Sequence, residues 1–292
     1  MIDPAQLAAL AAILATGSFD GAAATLNVTQ SAISQRIRAL EERMGTVLIL
    51  RGQPCLGTEA GLRLARHRED IALLEQALAR DLKGVEADRP SLRIAVNADS
   101  LATWFLPALT ALPNALFDLV IDDQDHSAAL LRRAEVTAAV TVRAAAVQGC
   151  TAWPLGALRY VATASPGFVA RHFAGGVDGS ALMRAPMLTF NAKDQLQRRW
   201  LRALAGRDLA PPAHVIGSST GFVDAALLGL GWGMNPEGLV RDHVAAGRLV
   251  ALVPDRPLDV ALCWQVARLN GAALVPLTQA VRRAAKAALI GP

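Results

Sequence analysis

The sequence contains few cysteines and few aromatic residues, and both shortages narrow its class. Its 292 residues include 3 cysteines, and 4% are aromatic. Cys55, Cys150 and Cys263 lie far apart and form no CxxC pair, a pattern typical of free thiols in a reducing compartment and not of a disulfide-stabilised secreted domain. The shortage of aromatic residues disfavours an aromatic-rich β-sandwich, whereas abundant alanine and leucine favour helices.

A strong charge of one sign and a long hydrophobic run are also absent. Lysine and arginine number 29 against 25 acidic residues, so the formal net charge is only +4, and nucleic-acid binding would require a specific motif. Although 53% of the residues are hydrophobic, every stretch of about 18 residues contains charges or helix breakers, which excludes a membrane-spanning helix. The start Met1–Pro4 lacks the basic residues of a signal peptide, so we expect a cytoplasmic protein.

The motifs of several enzyme and metal-site classes are missing as well. The chain has no GxSxG, HExxH or P-loop, and no GxGxxG between a strand and a helix. Its five histidines lack metal-ligand spacing. His126 lies beside Asp122, Asp123 and Asp125, but one histidine among exposed acids is usually solvated. We therefore expect no catalysis, no metal and no cofactor.

The first sixty residues predict three short helices. Apolar residues recur at helical spacing in the first helix, which ends near Thr16 and Gly17. Ser18 can cap the second helix and Thr29 the third, while Asn27 tolerates the left-handed backbone of a tight turn between them. Two helices joined by so short a turn indicate a helix-turn-helix.

The third helix carries the most informative pattern. Ile33, Ile37 and Leu40 form an inner apolar stripe, so the outer face presents hydroxyl, amide and guanidinium groups. Glutamine and serine can read base edges, and arginine can bind guanine or phosphate. The candidate DNA-contact residues are Ser18, Thr29, Gln30, Ser31, Ser34, Gln35, Arg36, Arg38 and, beyond the helix, Arg51. The alternative is a solvated helix face in an ordinary bundle.

A hairpin wing and a long helix are predicted next. The wing is indicated by a β-prone run, a cation and two breakers (Val47–Leu50, Arg51, Gly52 and Pro54). The helix runs from Thr58 to Lys83, with an apolar seam of Leu64, Ile71, Leu74 and Leu78 that His67 interrupts. Such a seam favours dimerisation, which would fix the spacing of two helix-turn-helix units. The alternative is that the helix packs against its own domain.

The remaining two thirds of the chain alternates strands and helices. The predicted strands are 92–96, 117–121, 137–142, 187–190, 215–216, 249–253 and 260–264, and the predicted helices are 100–112, 127–134, 195–204, 219–228 and 275–289. This alternation predicts a parallel α/β sheet, and two such sets predict two subdomains with a cleft between them. Ligands of open α/β sheets bind where strands end and helices begin.

That rule selects candidate ligand-binding residues. They are Asp99, Ser100, Asp122, Asp123, Thr141, Asn191, Asp194, Ser218 and Ser219. Helix starts can hold a carboxylate, and acidic residues can hold cationic groups near Asp122 or Asp123. The combination suits a small zwitterion with an extra positive charge, such as lysine or arginine. The alternative is that the serines are plain helix caps and the acidic residues are solvated.

Several of these motifs together are similar to LysR-type transcriptional regulators. They are Gly17-Ser18-Phe19, Ala22-Ala23, Leu26, Thr29 to Ile37, Leu40-Glu41 and Thr58-Glu59-Ala60-Gly61. The resemblance implies a winged helix-turn-helix, a linker dimerisation helix and a two-subdomain effector domain like periplasmic binding proteins. We place these at 1–58, 59–90 and 91–292, with subdomain I at about 91–162 and 267–292 and subdomain II at about 163–266.

Two positions depart from the family pattern. Gly21 lies in the second helix, where a better helix former is usual, and Leu56 replaces the basic residue that many members carry before Thr-Glu-x-Gly. A phosphate contact from Leu56 is therefore in doubt. Arg51 remains as the cation of the wing.

Within the family, the stretches 95–109, 155–160 and 218–219 resemble the ArgP/LysG subfamily. Members sense lysine, arginine or related basic amino acids and activate genes for a basic amino-acid exporter. The resemblance implies promoter DNA, a second copy in a homodimer or tetramer and, indirectly, RNA polymerase as partners. Two alternatives stay open, namely a regulator of this type with a non-basic effector and a solute-binding protein without a DNA function.

Overall fold

The structure, a computed structural model, describes residues 2–82, 89–121, 127–142 and 145–291. These residues form two compact units. The first unit contains the described residues of 1–93 together with 114–118 and 133–137. The second contains the described residues of 94–113, 119–132 and 138–292.

The first unit begins with a three-helix domain and a hairpin. Its elements are α1 (Pro4–Thr16), α2 (Phe19–Thr25), α3 (Gln30–Met44), β1 (Ile49–Leu50) and β2 (Leu56–Gly57). The two predicted caps are confirmed, because the Ser18 hydroxyl accepts from the Gly21 N–H at 3.0 Å and the Thr29 hydroxyl accepts from the Ala32 N–H at 3.2 Å. Asn27 has a φ of 51°, the left-handed backbone expected of the turn. The predicted helix-turn-helix and wing are therefore present.

Two glycines of this domain allow close approaches. A Cβ on Gly21 would lie 2.8 Å from the Thr16 Cβ, so the departure at this position lets α2 pack against the end of α1. A Cβ on Gly61 would overlap the carbonyl oxygen of Leu48, which lies just before the hairpin. The hairpin is further held by the Thr58 hydroxyl, which donates to the Val47 carbonyl at 2.9 Å.

The long helix α4 (Glu59–Leu82) has two different faces. One face is buried at Leu73 and Gln76, and the Gln76 amide donates to the Asn114 carbonyl at 3.2 Å. On another face Leu74, Leu78 and Leu82 are 40%, 57% and 59% exposed. We call these three residues the leucine stripe. The described part of the chain covers the first face and leaves the leucine stripe open to solvent.

Most of the β-structure of the second unit belongs to a seven-stranded sheet. The strands along the chain are β3 (Ser91–Val96), β4 (Leu116–Ile121), β5 (Ala138–Thr141), β6 (Cys150–Ala164), β7 (Met187–Thr189), β8 (Ala213–Val215), β9 (Gly233–Pro236), β10 (Val250–Ala251) and β11 (Leu258–Ala267). The sheet order is β10-β6-β11-β5-β3-β4, with β9 also pairing with β6, while β7 and β8 form a separate parallel pair.

The prediction of a parallel sheet was wrong for most of these strands. β3 and β5 pair in parallel, but β6 pairs antiparallel with β9, β10 and β11, and β11 pairs antiparallel with β5. The sheet is therefore mixed. An alternation of strands and helices does not specify orientation when the pairing partners lie about a hundred residues apart, as Arg159 and Asp259 do.

Helices complete the second unit. They are α5 (Ala98–Ser100), α6 (Ser127–Arg132), α7 (Pro166–His172), α8 (Gly179–Arg184), α9 (Leu196–Ala205), α10 (Ser219–Leu227), α11 (Glu237–Ala245) and α12 (Val275–Ala288). The regular helix predicted over 100–112 was wrong in detail. α5 continues as a π-helical turn (Leu101–Phe105) and a 3₁₀ turn (Leu106–Ala111), because Pro107 has no N–H for a regular helical ladder.

No single helix in the described ranges is long and apolar enough to span a membrane. Helices α1 and α2 meet the length and composition criteria only when joined, across a bend of 118°. Both bury apolar side chains in the core of the N-terminal domain.

Candidate functional site

The first candidate site is the outer face of α3. Gln30, Ser31, Gln35 and Arg38 are exposed, while Ser34 and Arg36 are half-buried. Thr29 is exposed and lies 3.0 Å from the Ser31 hydroxyl, and Ser18 is half-buried as the cap of α2. The structure therefore brings the predicted residues of α3 together on one surface, with base-reading amides beside guanidinium groups.

The wing adds one cation and several apolar side chains. The Arg51 guanidinium lies 5.1 Å from the centre of the Phe19 ring, a cation–π contact that ties the wing to the start of α2. Leu50 and Leu56 face each other across the hairpin and are 53% and 58% exposed. Within 1–83 the sequence has 9 basic and 9 acidic residues. Binding of DNA must therefore depend on a few placed side chains.

The second candidate site is a cavity of about 690 Å³ in the second unit. It is lined by the residues that follow β3, by the loop after β7 with the start of α9, by the start of α10, and by parts of β9 and β11. Several strand ends and helix starts thus meet at one cavity, as predicted. A volume of this size fits an amino acid or a metabolite of similar dimensions.

Asp99 is the central ionisable residue of this cavity. One carboxylate oxygen accepts from the Ser219 hydroxyl at 2.7 Å, and the other accepts from the hydroxyl of Tyr160, the single tyrosine of the chain, at 2.8 Å. Burial raises the pKa of Asp99 above the ordinary range, the two hydroxyl donors oppose this shift, and nearby Asp194 adds to it. Among the described residues no lysine or arginine pairs with Asp99.

Two other carboxylates line the cavity, but each already has strong partners. Asp194 accepts from the backbone N–H groups of Phe190 and Leu196, both at 2.9 Å. Asp259 forms two bonds with the Arg159 guanidinium, at 2.8 and 2.7 Å, and this partner lowers the pKa of Asp259. Of the three carboxylates, Asp99 is therefore the one with capacity for a cationic ligand.

Three buried amide side chains also line the cavity. Asn97, Gln197 and Asn235 are 4%, 2% and 0% exposed. The Oδ1 and Nδ2 atoms of Asn97, the Oε1 atom of Gln197 and the Oδ1 atom of Asn235 have no hydrogen-bond partner among the described residues. An unpartnered buried polar group costs about 1–3 kcal/mol. Such groups indicate that the cavity is shaped for a polar occupant.

The predicted ligand-binding residues fall into three groups. Asp99, Asn191, Asp194 and Ser219 line the cavity. Ser100, Thr141 and Ser218 do not line it, because Ser100 and Thr141 are fully buried, Thr141 accepts from the Gln265 amide at 3.0 Å, and exposed Ser218 caps α10. Asp122 and Asp123 lie outside the described residues.

The sequence reasoning did not select Asn97, Gln197, Asn235 or Asp259. Two of these residues carried a usable signal. Gln197 is on the same helical face as Trp200 and Leu201, both buried, and Asn235 lies in a strand whose four residues are all buried. A polar side chain among buried apolar neighbours is a candidate for function, because burial without a partner is unfavourable.

Fold and site together define a class. A winged helix-turn-helix followed by an α/β unit with a polar cavity is the architecture of a ligand-responsive, DNA-binding regulator. Residues 4–62 match the bacterial regulatory helix-turn-helix proteins of the lysR family, and residues 86–289 match the LysR substrate binding domain. The chain belongs to the LysR family of bacterial transcriptional regulators. This is a family of regulators and not of enzymes.

Related sequences agree over nearly the whole chain. The HTH-type transcriptional regulator LysG of Mycobacterium tuberculosis is 45% identical over 290 residues, covering 98% of this chain and 95% of the relative. The lysine export transcriptional regulatory protein LysG of Corynebacterium efficiens is 39% identical over 293 residues and covers 99% of both chains. Both match the subfamily that the sequence resembles.

Solved structures agree as well. The crystal structure of ArgP from Mycobacterium tuberculosis has a TM-score of 0.83 at 43% identity and covers 100% of both chains. The full-length LysG of Corynebacterium glutamicum, solved with its effector arginine bound, has a TM-score of 0.69 at 37% identity and covers 99% of both chains. They confirm the predicted fold class, a winged helix-turn-helix joined to an α/β effector domain.

Proposed function

We propose that the effector of this regulator is a basic amino acid, lysine or arginine, bound in the cavity at Asp99. The observation that carries the proposal is Asp99 itself, a carboxylate with two hydroxyl donors and no cationic partner among the described residues. A carboxylate in such a place favours a cationic ligand. The relative solved with bound arginine supports the same class of effector.

The remaining predicted ligand-binding residues belong to the proposal in different degrees. Asn191, Asp194 and Ser219 line the cavity, and the start of α10 offers N–H groups for the carboxylate of an amino acid. Ser100, Thr141 and Ser218 would act from behind or beside these residues. Asp122 and Asp123 stay predictions from the sequence.

The DNA-binding surface is proposed as Ser18, Thr29, Gln30, Ser31, Ser34, Gln35, Arg36, Arg38 and Arg51. The exposure of the α3 face supports it. We assign the DNA-binding domain to 1–58, the linker to 59–90 and the effector domain to 91–292, divided into subdomains I (91–162 and 267–292) and II (163–266). The break in the predicted chain pattern near Pro90 supports the second boundary.

The regulator is proposed to work as a homodimer or a tetramer. The exposed leucine stripe on α4 supports self-association. Effector binding would favour one of two arrangements of the effector domain, change the assembly on promoter DNA and thereby act indirectly on RNA polymerase. The regulated gene is proposed to encode an exporter of basic amino acids, in line with the lysine-export regulator among the relatives.

A thermal-shift panel on the purified full-length chain tests the effector class. L-lysine, L-arginine, L-leucine and L-glutamate are compared at matched ionic strength. At a concentration about 100 times Kd, a bound effector should raise Tm by about 5 °C. Stabilisation by L-glutamate alone, with no response to either basic amino acid, would overturn the proposal and favour an acidic metabolite.

A further inference from the structure

We propose that Asn97, Gln197 and Asn235 form a neutral subsite that binds the guanidinium group of arginine, while Asp99 binds the α-ammonium group. We call these three side chains the amide subsite. The proposal rests on the proposed function, because it assumes a basic amino acid in the cavity at Asp99. It goes further by assigning the two cationic groups of the ligand to different partners, and by predicting a preference for arginine.

The first step is a count of the negative charge available. Arginine carries two cationic groups, but only one of the three carboxylates lining the cavity has capacity left. Asp259 is paired through both oxygens with Arg159, and Asp194 is bonded to its own loop. The second cationic group of the ligand must therefore be bound by neutral acceptors among the described residues.

The second step identifies those acceptors. Asn97, Gln197 and Asn235 come from three different elements, namely the end of β3, the first turn of α9 and strand β9, and all three line the cavity. Each is at least nine-tenths buried and has an amide oxygen without a partner. Asn235 is oriented by its own amide nitrogen, which donates to the Thr163 hydroxyl at 2.9 Å.

The third step distinguishes arginine from lysine. A guanidinium group is planar, offers five N–H donors and is weakly hydrated, so several separate amide oxygens can satisfy it without a countercharge. An ammonium group is compact and strongly hydrated, and it loses more when it is transferred to neutral acceptors. Three unpartnered amide oxygens around one cavity therefore fit the side chain of arginine better than that of lysine.

Calorimetric titration of the full-length chain with L-arginine, L-lysine and L-citrulline tests the assignment. Citrulline replaces the guanidinium with a neutral ureido group of nearly the same shape. If amides bind this end, citrulline should bind within about ten-fold of arginine, because amides can rotate to offer a donor or an acceptor. If a carboxylate binds this end, citrulline should lose about a hundred-fold or more, and that result would overturn the amide subsite.

Two variants test the individual side chains. Asn97→Ala and Gln197→Leu remove unpartnered groups without removing a hydrogen bond seen in the described residues. Each should weaken arginine binding by about ten-fold and lysine binding less. The control is Gln279→Leu, the same type of substitution at an exposed position of α12 outside the cavity, which should leave both affinities unchanged.

The outcomes separate the subsite from the function that it presupposes. If the wild-type chain binds neither basic amino acid, the proposed function fails and the subsite fails with it. If it binds them but both variants keep the wild-type affinities or lose arginine and lysine by equal factors, only the amide subsite is overturned. Unfolding curves of the ligand-free variants identify any variant that does not fold, and the citrulline comparison then decides on the wild-type chain alone.

Discussion

At the scale of single residues, the chemistry of the cavity depends on how each carboxylate is partnered. Asp99 accepts from two hydroxyl groups, Asp194 from two backbone N–H groups and Asp259 from a guanidinium. Hydroxyl donors leave the charge of a carboxylate uncompensated, whereas an arginine neutralises it. Three carboxylates in one cavity thus have different capacities for a cationic ligand, and the sequence alone does not show this difference.

The raised pKa of Asp99 predicts opposite pH dependences for ligand binding and for stability. A cationic effector requires the ionised carboxylate, so its affinity should fall as the pH drops through the raised pKa, which lies above the ordinary value of about 3.9. For the ligand-free fold the sign is reversed. A raised folded-state pKa contributes stability that is present below the unfolded pKa and is lost as the pH rises through the folded pKa.

Titration calorimetry and thermal unfolding across this pH range measure the two effects. Asp99→Asn should weaken arginine and lysine binding by about ten- to a hundred-fold at neutral pH and remove both pH dependences. Asp255→Asn, at an exposed carboxylate outside the cavity, is the matched control. An affinity that stays constant down to pH values near the ordinary aspartate range would contradict the role of Asp99.

At the scale of elements, the N-terminal domain depends on tight contacts between short helices. Helix α2 begins directly after α1, and only a glycine fits at position 21 beside Thr16. Helix propensity favours alanine over glycine by about 1 kcal/mol, so packing and propensity make opposite predictions here. The clash decides, because the nearest Thr16 atoms lie closer than real Cβ contacts allow.

Gly21→Ala should therefore destabilise the N-terminal domain by about 1–3 kcal/mol. Gly167→Ala is the matched control, since Gly167 lies within α7 with open space around its Cα, and it should leave stability unchanged or raise it by up to about 1 kcal/mol. Denaturant unfolding of both variants gives the comparison. Equal stability changes at the two positions would contradict the packing argument.

The outer face of α3 yields a second prediction at this scale. Gln30→Ala and Arg36→Ala should weaken binding to the promoter, with a loss of about 1–3 kcal/mol where a base contact is removed, and should leave effector affinity unchanged. Mobility-shift and calorimetric measurements on the same preparations separate these effects. Loss of DNA binding together with effector binding would show misfolding and would contradict a role confined to DNA contact.

Several elements could be predicted from the sequence and others could not, for local reasons. Caps and apolar spacing were sufficient for α1, α2 and α3. Strand β6 was not predicted, because Pro154 and Gly156 interrupt its pattern. The structure accommodates them with a shift in register between Leu262 and Cys263 on the facing strand β11 and with a bridge from Ala157 to Ile290. These compensations come from distant parts of the chain.

The candidate site divides in the same way. Asp99 and Ser219 were predictable because they begin helices after strands, and such positions meet at one edge of a sheet. Gln197 and Asn235 were not selected, because burial on two separate elements brings them to the cavity. Thr141 was selected for its place late in a strand, but its side chain bonds to Gln265, away from the cavity lining.

At the scale of the whole molecule, the leucine stripe is the feature that a single chain leaves unexplained. Leu74, Leu78 and Leu82 lie one helical turn apart on α4 and are each at least 40% exposed. Apolar side chains in such a row favour helix–helix association. Two DNA-binding domains held at a fixed spacing would read a two-fold-related site.

Replacement of Leu74 and Leu78 together by glutamate should shift the regulator toward the monomer, since charges in an apolar helix seam are strongly unfavourable. Promoter affinity should fall, while effector affinity should be retained because the cavity lies within the second unit. Analytical ultracentrifugation measures the shift. Glu75→Gln on the same helix is the control, and an unchanged oligomeric state in the double variant would contradict self-association through this stripe.

The account as a whole depends on whether a basic amino acid binds at Asp99. Calorimetric titration of the full-length chain with L-arginine and L-lysine, repeated on Asp99→Asn, tests this most directly. We predict saturable binding of at least one of the two by the wild-type chain, and a loss of about ten-fold or more in the variant. Absence of binding by the wild-type chain, or equal affinity in the variant, would contradict the account.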